Sequence, residues 1–373
     1  MRNTCENAVS YKEPHMTTRL LAATALVVLS VSSAAAQQPQ PPSAPPAAAQ
    51  APAPPPQYPI VRVGALSYLQ YDAELENRDG FNNFDVTRAY LNINAQISDN
   101  IRFRFTPDIR RVTDSSLSGS LVVRVKYAFA QFDNITPRAW IRLGLHQTPW
   151  LDFEESINRY RVQGTMFSER EGLIPGSADF GVSYFTPLPN GYGEVHGGVF
   201  NGEGFTQPEA NKYKSVQGRL TVRPFPNASV VKGLRVSAFY NAGWYAADRP
   251  RRLGIVMGSF EHDHLVATVE GLRATENPLT LTVPRDIDRN GWSVFVEPRQ
   301  GPAGLAGIFR YDAFVPDDSL VDNDQDRFIA GGAYWFVWPR AKVGFVVTNE
   351  QVKYESPTRL DENRILVQTH IEF

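Results

Sequence analysis

Between residues 60 and 373 the chain alternates apolar and polar positions with a period of two, the pattern of strands with two chemically different faces. In "AYLNINAQI", Ala89, Leu91, Ile93, Ala95 and Ile97 share one face; Tyr90, Asn92, Asn94 and Gln96 share the other, with Arg88 beside them. "IRFRFTPD" sets Ile101, Phe103 and Phe105 against Arg102, Arg104 and Thr106. "LVVRVKYAFAQF" sets Leu121, Val123, Val125, Tyr127 and Phe129 against Arg124 and Lys126. "AWIRLGLH" sets Ala139, Ile141, Leu143 and Leu145 against Arg142, Gly144 and His146. The last run, "RILVQTHIEF", sets Ile365, Val367, Ile371 and Phe373 against Arg364, Gln368, His370 and Glu372. Applied along the chain, the pattern predicts an all-β fold of about sixteen strands, near 60–72, 84–97, 101–109, 120–132, 138–147, 177–186, 191–200, 212–223, 233–244, 253–261, 264–274, 290–297, 303–312, 327–337, 340–353 and 363–373.

Alternation alone also fits a soluble sandwich, and the links separate the two. Long links ("AELENRDGFNN", "RVTDSSLSGS", residues 148–176, "NGEGFTQPEAN", "YAADRPRR", "TENPLTLTVPRDIDR", "AFVPDDSLVDNDQD", "ESPTRLDE") alternate with short ones such as "SDN", "HD" and "WPR". An even strand number with long loops at one end and tight turns at the other describes a transmembrane antiparallel β-barrel with extracellular loops and periplasmic turns. Lipid demands closure, because an open sheet edge in hydrocarbon costs several kcal/mol per unpaired backbone group. Outside the N-terminal region no apolar run is long enough for a membrane-spanning helix. Trp140, Trp150, Trp244, Tyr245, Trp292, Trp335, Phe336 and Trp338 cluster near strand ends and are expected to form interfacial girdles. Phe373, at the end of the closing strand, is expected to present its ring to lipid and to act as a signal for the outer-membrane assembly machinery.

A barrel of this size leaves an aqueous channel, so the charges on the inward parity decide what passes. The second to fifth strands place Arg88, Arg102, Arg104, Arg124, Lys126 and Arg142 there, with Asp85, Asp108 and Asp133 near the strand ends. Neighbouring strands lie about 4.8 Å apart, so the six cations are expected to form a basic wall that favours anions. The segment 148–176 is too long for a plain connection. It carries Asp152, Glu154, Glu155, Arg159, Arg161 and Arg170 and is the candidate constriction, its acids facing the wall and its arginines extending the anion path. The blander alternatives are arginines paired with loop acids and a segment packed on the barrel rim.

The N-terminal region sets the compartment. From Met16, "MTTRLLAATALVVLSVSSAAAQ" has a basic residue, an apolar core and small residues before Gln37, the anatomy of a cleavable secretory signal over residues 1–36 with its true start at Met16. Cys5, the only cysteine, lies upstream of that start, so thiol or disulfide chemistry is not expected. Residues 37–57 hold nine prolines and no charge, and so are expected to form an extended periplasmic linker. The barrel then occupies 58–373, and the expected location is the outer membrane.

The stretch "VRVKYAFAQFDNITPRAWIRLGLHQTPWLDFEESINRYRVQGTMFSEREG", residues 123–172, resembles the phosphate-selective porins O and P. It carries an aromatic-rich strand, a short turn, Gly144, Pro149 and Trp150, then Glu154, Glu155, Ser156, Glu169 and Arg170. "FDVTRAYLNINAQISDNIRFRFTPD" is similar to that family's opening hairpin, and "AGLAGIFRYDAF" and "FIAGGAYWFVWPRAKVGFVV" to its later strands. The resemblance implies a sixteen-stranded channel, often a homotrimer, with loops folded into the lumen and basic side chains along an anion path.

Other motifs are weak. "EHDH", with His262 and His264, falls in a predicted tight turn, and "DNDQD" lacks the glycine and closing glutamate of a calcium loop, so neither metal nor other cofactor is implied. No nucleophile motif points to an enzyme, and 37 basic against 39 acidic residues give no basis for nucleic-acid binding. The expected function is passive diffusion of small solutes with a preference for small anions. The alternative is a non-conducting barrel used as an envelope scaffold or partner-binding module.

Overall fold

The computed structural model describes residues 56–78, 80–112, 117–209, 211–281 and 283–373; the expected signal segment and nearly all of the linker lie outside these. Sixteen strands form, as the alternation predicts: β1 (Ile60–Glu76), β2 (Asn82–Ser98), β3 (Ile101–Arg111), β4 (Leu121–Asp133) and β5 (Trp140–Gln147). Two helices follow, α1 (Leu151–Ile157) and α2 (Phe167–Arg170), then β6 (Ala178–Pro187), β7 (Gly193–Phe200) and β8 (Ser215–Val222). The rest are β9 (Leu234–Ala246), β10 (Arg249–His262), β11 (Leu265–Glu276), β12 (Ile287–Pro298), β13 (Gly304–Val315), β14 (Gln325–Trp338), β15 (Ala341–Tyr354) and β16 (Glu362–Glu372). Each strand pairs antiparallel with its sequence neighbours, and β1 pairs with β16 to close the barrel.

The seam runs from Leu66 opposite Glu372 to Glu74 opposite Arg364, with a register shift before Glu76 opposite Asn363. Phe373 extends it by one residue: its N–H donates to Ala65 O at 3.0 Å, and Ala65 N–H donates to Phe373 O at 2.8 Å. Gly64 makes this approach possible, since a Cβ there would lie 2.6 Å from Phe373 O. Closure leaves no strand edge. The outward parity is apolar and exposed, as at Val63, Leu91, Val123, Val256 and Phe309.

Three sequence expectations need correction. First, Tyr127 and Phe129 point inward, not to lipid, at 7% and 6% exposed. Thr106 pairs with Tyr127 but Pro107 pairs with Val125, so Lys126 is an extra residue that switches the parity of β4. The cause is Pro107, which has no N–H to give the ladder and is accommodated at a bulge. Second, "YAADRPRR" is not a long loop. β9 and β10 run on to Ala246 and Arg249, with Asp248 at φ 58° in the tight turn between them. Third, the aromatic girdle is smaller than expected. Trp244, Trp292, Phe336 and Trp338 are exposed, but Trp150 and Trp335 are fully buried in the interior. Trp140 packs against Arg142, and the Tyr245 hydroxyl donates to Glu276.

The inner wall has two unlike halves. On β1–β5 it is polar, with arginines and tyrosines. On β9–β15 it carries Phe239, Leu253, Ile255, Met257, Phe295, Ile308, Trp335 and Val346, each at most 4% exposed. The segment 148–176, carrying α1 and α2, covers that apolar half.

Candidate functional site

The inner segment enters from the long-link end and is held along its length by side chains of the wall. Arg219 Nε donates to Pro149 O at 2.8 Å. Farther on, Arg159 donates to Glu297 Oε1 and to Pro302 O, both at 2.7 Å, and Tyr160 hydroxyl donates to Glu297 at 2.9 Å. Pro302 lies in the tight turn between β12 and β13, so the segment reaches the short-turn end before it turns back. On the return, Gln368 donates to Val162 O at 2.6 Å, Arg310 to Thr165 O at 3.2 Å, and Arg170 to Glu350 at 2.9 Å. Glu350 also pairs with Arg327 and, at 2.9 Å, with Arg364.

Apolar contact supplies the area behind these anchors. Trp150, Leu151, Ile157, Tyr160, Met166 and Phe167 of the segment form one cluster with Phe239, Ile255, Met257, Phe295 and Trp335 of the wall. Each such side chain contributes on the order of 1.5–3 kcal/mol when fully buried. Tyr160 and Trp335 meet edge to face with centroids 5.8 Å apart. The rim-packing alternative is therefore excluded by contacts that run from one end of the barrel to the other.

The six wall cations separate into two groups. Arg102 makes a bidentate pair with Asp133 at 2.5 Å, and Arg124 pairs with Asp108 at 2.9 Å. The other four make no carboxylate pair among the described residues. Arg88 sits over Tyr68 and Tyr90, at 5.2 and 4.9 Å from their ring centroids. Arg104 donates to Asn92 and Thr106 at 2.9 and 3.1 Å and lies over Tyr127. Arg142 donates to Gln131 at 2.8 Å and Gln147 at 3.1 Å, between Phe129 and Trp140. Lys126 donates to Ser177 at 2.7 Å and is capped by Phe205 at 3.7 Å. Neutral partners and aromatic faces orient these cations without cancelling their charge.

The inner segment presents acids to this wall. Asp152 is within electrostatic reach of Arg142 and Arg104, Glu155 of Arg88, and Glu169 of Lys126. Arg161 binds two of the three, Glu155 at 3.3 Å and Glu169 more closely. Burial works against the charge of Glu169, but Arg161 outweighs it and holds the carboxyl below its ordinary value. Asp152 alone among the three has no ion pair among the described residues, and its side chain is exposed. Glu154 faces the other way. It is 7% exposed and faces Glu270 on β11, and burial pushes it up to about 7. Burial likewise lowers Arg170 to about 9, against the pull of Glu350. Arg159 and Arg170 are thus anchors on the apolar half, and Arg161 braces the segment's own acids.

Sequence reasoning missed two cations. Arg62 and Arg138 line a cavity of about 390 Å³ at the short-turn end, next to one of about 360 Å³ that Arg62, Arg104 and Arg142 share. Arg62 lies opposite Asn94 on the inward parity of β1, so the alternation test applied to "IVRVGALSYLQ" finds it. Arg138 sits in a turn at φ 64° and carries no periodic signal. Among the described residues no group of three His, Cys, Asp or Glu side chains is placed to hold a metal ion.

No family model matches this sequence, and no curated protein matches it. Solved structures do match in fold. The outer-membrane channel DcaP of Acinetobacter baumannii superposes with a TM-score of 0.59 at 12% identity, over 84% of this chain and 97% of that one. An anion-selective porin from Comamonas acidovorans gives 0.58 at 12%, over 84% and 100%. OmpT, an outer-membrane protein of Vibrio cholerae in a trimer form, gives 0.57 at 12%, over 85% and 100%. At these identities the likeness establishes architecture: the chain has the sixteen-stranded barrel fold of outer-membrane porins.

Proposed function

We propose that the chain is an outer-membrane diffusion channel whose water path runs between the wall β1–β5 and the facing side of the inner segment, and which prefers small anions. The observation that carries this reading is the charge imbalance across that gap. Among the described residues Arg88, Arg104 and Arg142 lack carboxylate partners, whereas Asp152 is the one acid of the facing side without an ion pair; Lys126, 2% exposed under Ser177 and Phe205, is withdrawn from the gap. Fixed cations lining a narrow aqueous path lower the barrier for anions and raise it for cations. Guanidinium forks at Arg104 and Arg142 suit phosphate-like oxyanions, in line with the resemblance to phosphate-selective porins.

The apolar outer surface, the closed barrel and the export signal expected before residue 37 support placement in the outer membrane, with the short-turn end and the linker in the periplasm. A homotrimer is the proposed assembly. Phe373, besides extending the seam, is proposed as the assembly signal; its removal should reduce insertion into membranes while leaving the conductance of inserted molecules unchanged, and normal insertion would contradict that role.

Planar-bilayer recording in a potassium chloride gradient tests the channel. The expected result is stepwise conductance with a zero-current potential of the sign set by chloride, inverted by Arg104→Glu with Arg142→Glu. A potassium-selective wild type would overturn the anion preference. The second reading, a barrel that passes no solute, draws on the depth of the inner segment, which reaches Pro302 at the short-turn end; correctly folded barrels without current steps would favour it.

A further inference from the structure

We propose that a cavity at the long-link end, between Leu173–Pro175 of the inner segment and the wall of β8–β10, binds a neutral polyhydroxylated ring of monosaccharide size. Its volume is about 270 Å³. At about 30 Å³ per water that is room for roughly nine waters, or one six-carbon sugar ring. It lies apart from the basic wall and shares none of its cations.

The polar groups in it are amides and hydroxyls held ready for a partner. Gln217 and Asn241 are each 8% exposed. Gln217 Nε2 donates to Ser215 Oγ at 3.3 Å, but Gln217 Oε1 is buried with no hydrogen-bond partner among the described residues. Ser215 donates to Asn241 Oδ1, which leaves Asn241 Nδ2 for another acceptor. At the rim, Glu203 Oε1 accepts from Asn211 at 2.7 Å, while Glu203 Oε2 has no partner among the described residues. Buried acceptors left unmade are costly, and a ring of hydroxyls supplies both donors and acceptors to such a set.

The charge and the apolar lining narrow the class. Arg251 is the one cation among the lining residues, and it is committed: to Glu276 at 3.2 Å, Gly202 O at 3.2 Å and Leu173 O at 2.9 Å. With no free positive charge and a carboxylate at the rim, the cavity disfavours anions, in contrast to the opposite wall. Phe239, Leu173 and Ile174 offer an apolar surface against which the C–H face of a sugar ring packs. Room for it comes from Gly243, whose added Cβ would meet Ser215 Cβ at 3.4 Å, an ordinary contact. Gly243 lines the cavity, so a larger side chain there takes up part of its volume.

Isothermal titration of the full chain, folded in detergent, with D-glucose and with N-acetyl-D-glucosamine tests the site independently of conductance. Saturable binding of at least one sugar is expected, weakened about tenfold or more by Gln217→Ala and abolished by Gly243→Val, and unaffected by Arg104→Gln or by inorganic phosphate. Gly243→Val removes no polar side chain of the wall, so it decides the matter should Gln217→Ala fail to fold. The absence of saturable heat with both sugars, meaning a cavity that holds water only, overturns the proposal. So does binding that both cavity variants leave unchanged, or that phosphate displaces.

Discussion

The two halves of the inner wall are built from the same strand geometry and do opposite things. On β1–β5 the inward parity includes Arg88, Tyr127, Arg104 with its neutral partners Asn92 and Thr106, and Arg142 with Gln131 and Gln147. On β10 it is Leu253, Ile255 and Met257, all at most 2% exposed, with Val256 exposed on the outward parity between them. A strand with one polar face borders water on that side; a strand apolar on both faces is covered on both. Here one cover is lipid and the other is the chain's own segment 148–176. In the proposed channel this asymmetry directs solute to the β1–β5 side, because the segment packs on the apolar side of the lumen.

The largest test of this contrast is to remove the reason for docking. Met257→Asp places an unpaired carboxylate under the inner segment, and desolvating it costs far more than the contact it replaces. The segment should leave the wall, single-channel conductance should rise clearly and anion preference should fall. Met257→Ala, a cavity of about 2–5 kcal/mol, should give the same change in milder form as added current noise. Unchanged conductance in both variants would mean that the segment does not limit the path.

A smaller effect comes from pH. Glu154 titrates near 7 in the folded barrel against an ordinary value of 4.5, so its proton is bound more tightly when the segment is docked. Its contribution to docking is complete below about pH 4.5, falls as pH rises and is gone above about pH 7. Proteolysis of the inner segment should accelerate across that window. Glu154→Gln cannot ionise and should flatten the profile; a wild-type rate independent of pH would remove Glu154 from the account.

The smallest effect is predicted where the sequence pattern suggests a large one. Arg102→Gln together with Asp133→Asn deletes a neutral pair, so selectivity should be nearly unchanged, unlike the Arg104 and Arg142 reversal. A strong loss of anion preference in that double variant would return Arg102 to the path.

Much of this was legible before any coordinates. Alternation placed all sixteen strands, and sheer length singled out the segment 148–176. What was not legible depends on partners across strands. Arg102 and Arg104 look identical in "IRFRF", and only the register that brings Asp133 to the first distinguishes them. Pro107 reverses the parity of β4 through a bulge on the neighbouring strand, which no count along one strand detects. A further signal lies in "LGIVMG", which is apolar or small on both parities; that doubled apolarity marks the landing site of the inner segment.

The central claim is that water and ions follow the β1–β5 side. It is tested most directly with single cysteines in a Cys5→Ser background, one at Asn94, exposed and opposite Arg104, and one at Met257, fully buried under the segment. A negatively charged methanethiosulfonate reagent added during bilayer recording should reduce current through Asn94→Cys within minutes and leave Met257→Cys unaffected. Block at Met257→Cys with no response at Asn94→Cys would contradict the account.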